Sequence, residues 1–356
     1  MKEKDLDVTL ATLDRTDWTA LETIFGHSSR PDREIYLFDR LPQIRNTALR
    51  QAFLALLFAV RLFTLKVRHR TSVVINMSGE VVDSLGDLVY INAIPLRLMY
   101  RFPEIRPNQG VQWSLFSLVY SVLLKLLSRF RGTAVTNSKF NQRLIAEYVG
   151  RKTLVINPPV RSQQIATQFT SQNRINTVVT VARFRSAKGL ALIPKIASLT
   201  SDGMFLLIGT VDAGSEDCLR QLSEQVQRLH VEDRVHIFQN KPHEFTLKAL
   251  LNAKVFLHTQ RAEAFGMSVV EAMAAGCVPI VPHVGGPWEE ILNSQEGVYG
   301  YSYTSPQEAA DKIMLLFHDE KLRREVSARA MERAMAFDMT VFDKKFLSVV
   351  ESVSPR

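Results

Sequence analysis

The sequence of 356 residues is poor in cysteine, with Cys218 and Cys277 far apart in the chain. Neither cysteine belongs to a Cys-x-x-Cys pair or to the Cys/His spacing of a zinc site. A disulfide scaffold and a structural zinc site are therefore excluded, and the reducing cytoplasm is the expected compartment. No acidic pair has the arrangement of a magnesium site, so no metal is predicted.

Long apolar runs are missing as well. The longest, from Ala52 to Val60, falls short of the ~18–20 residues that a membrane-spanning helix needs. The stretch from Trp113 to Leu127 predicts an amphipathic helix, because its polar residues repeat with helical spacing. That helix either packs on a sheet or faces a membrane. Residues 1 to 20 also lack the apolar segment of a signal peptide, which favours a cytoplasmic protein.

Several common catalytic motifs do not occur. The chain has no Gly-x-x-x-x-Gly-Lys-Ser/Thr, no Gly-x-Gly-x-x-Gly and no Gly-x-Ser-x-Gly, and His243-Glu244 lacks the second histidine of a zincin. The commonest kinases, dehydrogenases, hydrolases and metalloproteases are therefore excluded.

Positive charge is concentrated in the first half of the chain. Residues 1 to 160 hold 22 Lys and Arg against 14 Asp and Glu, whereas residues 161 to 356 are balanced. Without a Lys/Arg block or interleaved aromatic residues, nucleic acid is not the expected partner. An anionic membrane surface suits this charge better. Basic residues cluster on and around a helix predicted at 49–67: Arg40, Arg45, Arg50, Arg61, Lys66, Arg68 and Arg70. We therefore expect peripheral attachment to the cytoplasmic face of a membrane.

Short apolar runs alternate with helical patterns along the whole chain, which is typical of parallel α/β sheets. A first set of strands and helices fills residues 1–160, with a further helix predicted at 138–149. Residues 161–176 are rich in Gln, Ser and Thr and are predicted to be a linker. A second set fills residues 177–338, and residues 339–356 predict a helix that returns toward the first domain. The sequence therefore predicts two doubly wound domains that face a cleft. Ligands are expected at the carboxyl ends of their strands.

The second domain contains a helix start suited to an anion. Glu263 precedes a predicted helix, Phe265 and Gly266 form the turn into it, and Glu271 lies about one turn inside. Backbone N–H groups at such a helix start favour a bound diphosphate, and the two carboxylates could accept hydrogen bonds from sugar hydroxyls. One glutamate alone would be an ordinary charge near a helix start.

Two cations follow the first strand of that domain. Arg183 and Lys188 lie on the loop after Val181-Ala182, where they could offset the charge that builds on a departing nucleoside diphosphate. Taken alone, such loop cations are usually solvated.

Together these motifs resemble the retaining glycosyltransferases of family four, which have the GT-B fold of two Rossmann-like domains. The matching segments are Ala182-Arg183-Phe184 with Lys188-Gly189, the Glu-x7-Glu pair Glu263 and Glu271, His283-Val-Gly-Gly-Pro287, Asn137-Ser-Lys-Phe140 and Asn157-Pro-Pro-Val160. The combination is most similar to the dolichol-linked or lipid-linked mannosyltransferase branch and its prokaryotic relatives. The resemblance covers nearly the whole chain and is strong from about residue 133 onward.

The resemblance implies a role for each matching residue. Arg183 and Lys188 would bind the donor diphosphate, Glu263 would contact the transferred sugar and Glu271 would hold the ribose. The backbone of Phe265, Gly266, Met267 and Ser268 would line the sugar and phosphate, while Gln239 and Asn240 would hold the base. The donor would be a GDP- or UDP-linked hexose, mannose or similar, and neither a cofactor nor a metal would be needed.

The first domain departs from the family pattern. Val8 to Leu13 resembles the second strand of the family, so the first strand, its glycine-rich loop and its helix are expected to be missing. Either the true start lies upstream of this sequence, or part of the acceptor site has been lost. The related branch usually has a histidine two residues after Tyr90, where this chain has Asn92. Asparagine can bind a hydroxyl but does not titrate near neutral pH. Asn92 is thus a weak candidate for the acceptor side.

Three functions remain open. The first is a hexosyltransferase that acts on a lipid-linked or membrane-proximal glycan. The second, motivated by the missing segment and Asn92, is a non-catalytic or truncated GT-B protein that binds a nucleotide sugar or a partner. The third is a nucleotide-sugar epimerase, which the Glu-x7-Glu motif disfavours.

Overall fold

The computed structural model describes residues 6–25, 30–39, 47–69, 72–79, 81–82, 84–95, 122, 132–169, 174–212 and 214–354. The chain divides into two compact units. One contains Met1–Asn157 together with Asp343–Arg356, and the other contains Pro158–Phe342.

The first unit is built on parallel strands. Its strands are β1 (Thr9–Ala11), β2 (Arg33–Ile35), β3 (Ile75–Asn76), β4 (Leu88–Ile91), β5 (Thr133–Thr136) and β6 (Leu154–Val155). Strands β3 to β6 form a four-stranded sheet in chain order, and β1 pairs with β2. All four residues of β4 are buried, as expected for an inner strand that is covered on both faces.

The helices of this unit that the structure describes are Trp18–Phe25, Thr47–Arg68 and Lys139–Val149. The first of them has no counterpart among the elements predicted from the sequence. The amphipathic helix predicted from Trp113 to Leu127 lies outside the described residues, apart from residue 122, and so do Arg40, Arg45 and Arg70.

A buried asparagine ties the carboxyl ends of β4 and β5 to the helix Lys139–Val149. The amide nitrogen of Asn141 is 3.1 Å from the carbonyl oxygen of Ala93 and 2.9 Å from the hydroxyl of Thr136. The hydroxyl of Ser138 caps the helix by accepting from the Asn141 N–H at 3.0 Å. The Asn137 amide donates to the carbonyl of Asn92. The Asn-Ser-Lys-Phe motif therefore has a structural role here.

Replacing Asn141 by Ala should lower the free energy of unfolding by about 1–3 kcal/mol, because buried hydrogen-bonding groups lose their partner. Chemical denaturation followed by fluorescence measures the loss. The exposed Glu147 on the same helix provides the control, since Glu147→Ala should change stability by less than about 0.5 kcal/mol. Equal stability of the two variants would contradict the role given to Asn141.

The second unit contains a single six-stranded parallel sheet within its described residues. Its strands are β7 (Ile175–Val181), β8 (Met204–Gly209), β9 (Val235–Gln239), β10 (Ala253–Leu257), β11 (Val278–Pro282) and β12 (Tyr301–Tyr303). The spatial order is β9-β8-β7-β10-β11-β12, which is the order of a Rossmann sheet. The direction of strand addition reverses between β7 and β10, and this switch point is where such sheets bind ligands.

Helices cover both faces of this sheet. They are Ser162–Ala166, Leu192–Leu199, Glu216–Arg228, His243–Asn252, Met267–Ala274, Pro306–His318 and Glu320–Ala334, with a π-helical turn at Pro287–Ile291 and 3-10 turns at Ser186–Lys188 and Met335–Phe337. Val255 and Leu257 of β10 enter one apolar cluster, whereas Phe256 enters the other. This alternation gives the two-sided core of a doubly wound domain.

The segment predicted as a linker, residues 161–176, lies inside the second unit. Ile165 of the helix Ser162–Ala166 is buried in the apolar cluster that contains Phe256. Arg174 is also buried and donates to the carbonyl oxygen of Leu250 at 3.0 Å. The structure thus corrects the prediction of a linker. The sequence of this segment is polar because its short helix buries a single apolar residue and its arginine bonds within the second unit.

The C-terminal helix spans Met339–Val353, and its residues from Asp343 onward belong to the first unit. There the ring of Phe346 lies edge-on to Tyr90, with 6.2 Å between the ring centres. Among the helices that the structure describes, none has the length and apolar character to cross a bilayer.

Candidate functional site

The candidate site lies at the switch point of the second sheet. The loop after β7 holds Arg183 and Lys188, and the loop after β10 holds Glu263. Because β7 and β10 are neighbouring parallel strands, both loops leave the same edge of the sheet. Residues predicted separately from the sequence are thus brought to one place.

A salt bridge joins the two loops. Lys188 Nζ lies 2.8 Å from Glu263 Oε2, and the two side chains are 21% and 19% exposed. A second hydrogen bond joins the same loops, because the Thr259 side-chain hydroxyl donates to the Lys188 backbone carbonyl at 2.7 Å. Gly189 has φ of +66°, and a Cβ there would lie 2.8 Å from the Thr259 carbonyl oxygen. A charged and partly buried pair therefore marks the centre of the site.

The electrostatic balance at Glu263 favours the carboxylate. Burial raises the pKa of its carboxyl. Three groups lower the pKa and together outweigh burial: the charge of Lys188, the nearby His258 and the N–H of Ala264. The pKa of Glu263 is therefore below its ordinary value. Glu263 is therefore ionised at neutral pH and serves as a hydrogen-bond acceptor.

Two consecutive glycines hold the Glu263 loop from behind. The Gly286 N–H donates to the Glu263 carbonyl at 2.9 Å. Gly285 has φ of +92°, and a Cβ there would lie 3.0 Å from the same carbonyl oxygen, while a Cβ on Gly286 would collide with the Ala264 carbonyl. The Val-Gly-Gly-Pro segment thus allows the loop after β11 to approach the loop that carries Glu263.

An uncapped helix N-terminus follows Glu263. The helix Met267–Ala274 has Gly266 as its N-cap, with φ of +101° and no capping side chain, so its first N–H groups are available to a ligand. The Phe265 side chain is buried, Ser268 is half-buried and the Met267 side chain is exposed. The site can therefore offer backbone donors to an anion, as the sequence predicted for Phe265 to Ser268.

Glu271 differs from Glu263 in its surroundings. Burial raises the pKa of its carboxyl, and within the described part of the chain it forms no ion pair. Arg183 is exposed and likewise has no ion pair with a described residue. Both side chains are therefore without an ion-pair partner in the described structure and are free to meet a ligand. The ribose and diphosphate roles of these two residues stay predictions.

The predicted base-binding residues lie at the far end of the same sheet edge. Gln239 ends β9 and is exposed, and Asn240 follows it with φ of +49°. The Asn240 side-chain oxygen accepts from the Val211 N–H at 2.9 Å. Asn240 therefore shapes the turn, while Gln239 presents the more accessible side chain. Asn92 lies in the first unit, directly after β4, with an exposed side chain.

Three polar residues directly after β10 were not among the predicted site residues. His258 and Thr259 are buried, and Gln260 is half-buried. His258 is held by its backbone, because its N–H donates to Ile280 and its carbonyl accepts from the Tyr303 hydroxyl, each at 2.9 Å. The available signal was a polar triplet at the carboxyl end of a fully buried strand. Among the described residues no cluster suits a metal ion.

Stability should depend on pH through His258. Burial lowers its pKa from 6.5 to about 4, with Glu263 opposing and Lys188 reinforcing the shift. As the pH falls, His258 is therefore protonated in the unfolded chain before it is protonated in the folded chain. The stability that the neutral ring contributes above pH 6.5 is lost as the pH falls toward 4. Each pKa unit is worth about 1.4 kcal/mol.

Urea denaturation of wild type and His258→Gln between pH 7 and 4 measures this contribution. We expect the free energy of unfolding to fall less steeply in the variant, because its residue 258 does not titrate. Parallel curves for the two proteins would contradict a neutral, buried His258.

Comparison with known proteins adds to this geometry. Residues 162–333 match the family model "Glycosyl transferases group 1". The matched range begins at the helix Ser162–Ala166 and ends within the helix Glu320–Ala334. It contains Arg183, Lys188, Glu263 and Glu271.

Curated relatives extend the similarity beyond that domain. The chain is 24% identical over 257 residues to "GDP-Man:Man(3)GlcNAc(2)-PP-Dol alpha-1,2-mannosyltransferase" of Dictyostelium discoideum, which covers 68% of this chain and 50% of the relative. It is 26% identical over 270 residues to the protein of that name from Homo sapiens, with 71% and 54% covered. The chain thus spans about half the length of these relatives.

Solved structures match along almost the whole chain. Sucrose-phosphate synthase from Thermosynechococcus elongatus superposes with a TM-score of 0.71 at 16% identity, covering 99% of this chain and 90% of that protein. WaaG, a glycosyltransferase involved in lipopolysaccharide biosynthesis, gives 0.69 at 14% identity, covering 96% and 99%. These similarities confirm the predicted fold, the GT-B fold with two Rossmann-like α/β domains.

Proposed function

From the match of residues 162–333 to the group 1 glycosyltransferase family model, we propose that this chain transfers a hexose from a nucleotide sugar to a lipid-linked glycan. The observation that carries the proposal is the Lys188–Glu263 pair at the switch point, beside an uncapped helix N-terminus. We propose GDP-mannose as the donor, because the name of the curated relatives specifies it.

The cations and the helix start suit the diphosphate of such a donor. Lys188 has three N–H donors, and its bond to Glu263 uses one of them. The remaining donors, together with Arg183 and the first N–H groups of the helix Met267–Ala274, would stabilise the negative charge that develops on the leaving diphosphate. This charge stabilisation needs no metal ion or cofactor.

Glu263 would fix the sugar. Its ionised carboxylate accepts hydrogen bonds from hydroxyl groups, and Lys188 keeps it ionised and in place. Glu271 would accept from the ribose, and Gln239 with Asn240 would contact the base at the other end of the sheet edge. The exposed Asn92 is proposed for the acceptor side.

The chemical step we propose retains the anomeric configuration. The acceptor hydroxyl attacks C1 of the sugar from the face that the diphosphate leaves, and its proton passes to a phosphate oxygen of the leaving group. One C–O bond forms and one breaks, which yields the glycoside and the nucleoside diphosphate. Lys188 and Arg183 lower the barrier by holding the phosphate where it meets that proton.

The first test is transfer of radiolabelled mannose from GDP-mannose into a total lipid extract, measured in EDTA. Glu263→Gln should lower the rate by about 100-fold or more, because the carboxylate that binds the sugar becomes a neutral amide. Glu332→Gln provides the control, since Glu332 is exposed on the helix Glu320–Ala334.

Each outcome of this test has a clear meaning. Labelled lipid from wild type that Glu263→Gln abolishes supports the proposal, and persistence in EDTA supports metal independence. Binding of nucleotide sugars without transfer from any GDP- or UDP-linked donor would overturn it in favour of the non-catalytic alternative.

We further propose that the basic first unit binds the cytoplasmic face of an anionic membrane, where a lipid-linked acceptor is reached. The helix Thr47–Arg68 exposes apolar residues along one face, with Leu56, Val60 and Val67 respectively 51%, 56% and 48% exposed. Arg68 lies at its end, and the first half of the chain carries the whole charge surplus. Apolar and basic groups together suit an interfacial surface.

Sedimentation with anionic liposomes at low salt tests this surface. Val60→Asp should weaken binding about tenfold, because a Val side chain contributes about 1.5 kcal/mol on burial and the added charge repels the lipid. Leu315→Asp is the matched control, since Leu315 is 42% exposed on a helix of the second unit. Equal sedimentation of both variants would exclude the helix Thr47–Arg68 as the membrane surface.

A further inference from the structure

Two buried acceptor atoms in the loop after β10 have no partner in the structure. They are His258 Nε2 and Gln260 Oε1. The His258 residue is 6% exposed, so its ring is shielded from bulk water. An unsatisfied buried polar atom costs about 1–3 kcal/mol, and two of them within three residues call for an explanation.

Burial keeps the His258 ring neutral at pH 7, because it lowers the pKa of the ring from 6.5 to about 4. A neutral imidazole has one nitrogen that accepts hydrogen bonds, and Nε2 is the buried ring nitrogen without a partner. The Gln260 amide is oriented by its nitrogen, which donates to the Ala262 carbonyl at 3.2 Å and leaves the oxygen free.

Both atoms belong to the loop that carries Glu263. The charges of Glu263 and Lys188 act on the His258 ring with opposite effects on its pKa, which places the ring within electrostatic reach of the salt bridge. Thr259, between the two acceptors, is bonded to the Lys188 carbonyl. The two unpartnered atoms therefore belong to residues on either side of one that is bonded to the loop of Lys188.

The chemistry of a partner follows from these atoms. Two acceptors need a ligand that donates hydrogen bonds, which phosphate oxygens and carboxylates do not. A sugar carries several hydroxyl donors on neighbouring carbons, and Glu263 is a third acceptor in the same loop. These three acceptors suit a ring that carries several hydroxyl groups.

We propose that His258 and Gln260 accept hydrogen bonds from hydroxyl groups of the donor sugar, beside Glu263. This inference rests on the proposed function in that the sugar arrives as part of a nucleotide sugar. The two residues then contribute to the choice of sugar, because a sugar whose hydroxyls point elsewhere leaves both acceptors unsatisfied. An internal water on the same atoms is the alternative that the experiment separates.

The experiment compares calorimetric affinities for GDP and GDP-mannose, and for UDP and UDP-glucose, in the full chain. The variants are His258→Leu, His258→Gln and Gln260→Met, with Gln227→Met on an exposed helix position as the control. Loss of one acceptor should weaken nucleotide-sugar binding about tenfold, equal to about 1.4 kcal/mol, and leave nucleotide binding within about twofold. His258→Gln keeps an acceptor and should retain more affinity than His258→Leu.

The results separate this inference from the proposed function. If wild type prefers a nucleotide sugar over its nucleotide and the variants keep that preference, only the inference is overturned. Equal weakening of nucleotide and nucleotide sugar would also overturn it, as a structural effect. If wild type binds no nucleotide sugar more tightly than the nucleotide, both the inference and the proposed function fail. Thermal melting of each variant verifies that it is folded, and Gln260→Met serves if His258→Leu does not fold.

Discussion

The salt bridge between Lys188 and Glu263 is the constraint on which the site depends. It joins the loops after β7 and β10, the two strands between which the sheet reverses its order. With both side chains about four-fifths buried, removal of one partner would leave a poorly solvated charge, which is strongly unfavourable. The pair therefore fixes the distance between the cationic loop and the helix N-terminus that follows Glu263.

The glycines and the histidine of the site serve the same arrangement. Gly285 and Gly286 let the Glu263 loop approach the loop after β11, and Gly266 starts the helix without a capping side chain. His258 is neutral at pH 7 because burial lowers its pKa, so it adds no further charge to the ion pair. The loop after β10 thus carries the acceptors, while the loop after β7 and the start of the helix Met267–Ala274 carry the donors.

Much of this was predictable from the sequence. Strands β7, β8, β10 and β11 are rich in apolar residues, and Arg183, Lys188 and Glu263 lie on the loops after two of them. Their common location at one sheet edge therefore follows from parallel topology. Strand β12 has only three residues, Tyr301–Tyr303, which are too few for a sequence pattern to identify a strand. The lack of hydrogen-bond partners at His258 Nε2 and Gln260 Oε1 could not be predicted from the sequence. It is visible only when the positions of the surrounding groups are known.

A double-mutant cycle on the central pair tests the account most directly. Lys188→Met, Glu263→Gln and the double variant are titrated by calorimetry with GDP and with GDP-mannose. The account predicts that Lys188→Met weakens both ligands, that Glu263→Gln weakens GDP-mannose alone, and that the two effects are not additive because the side chains are in contact. Unchanged affinity of both single variants for both ligands would contradict the claim that this pair is the centre of the donor site.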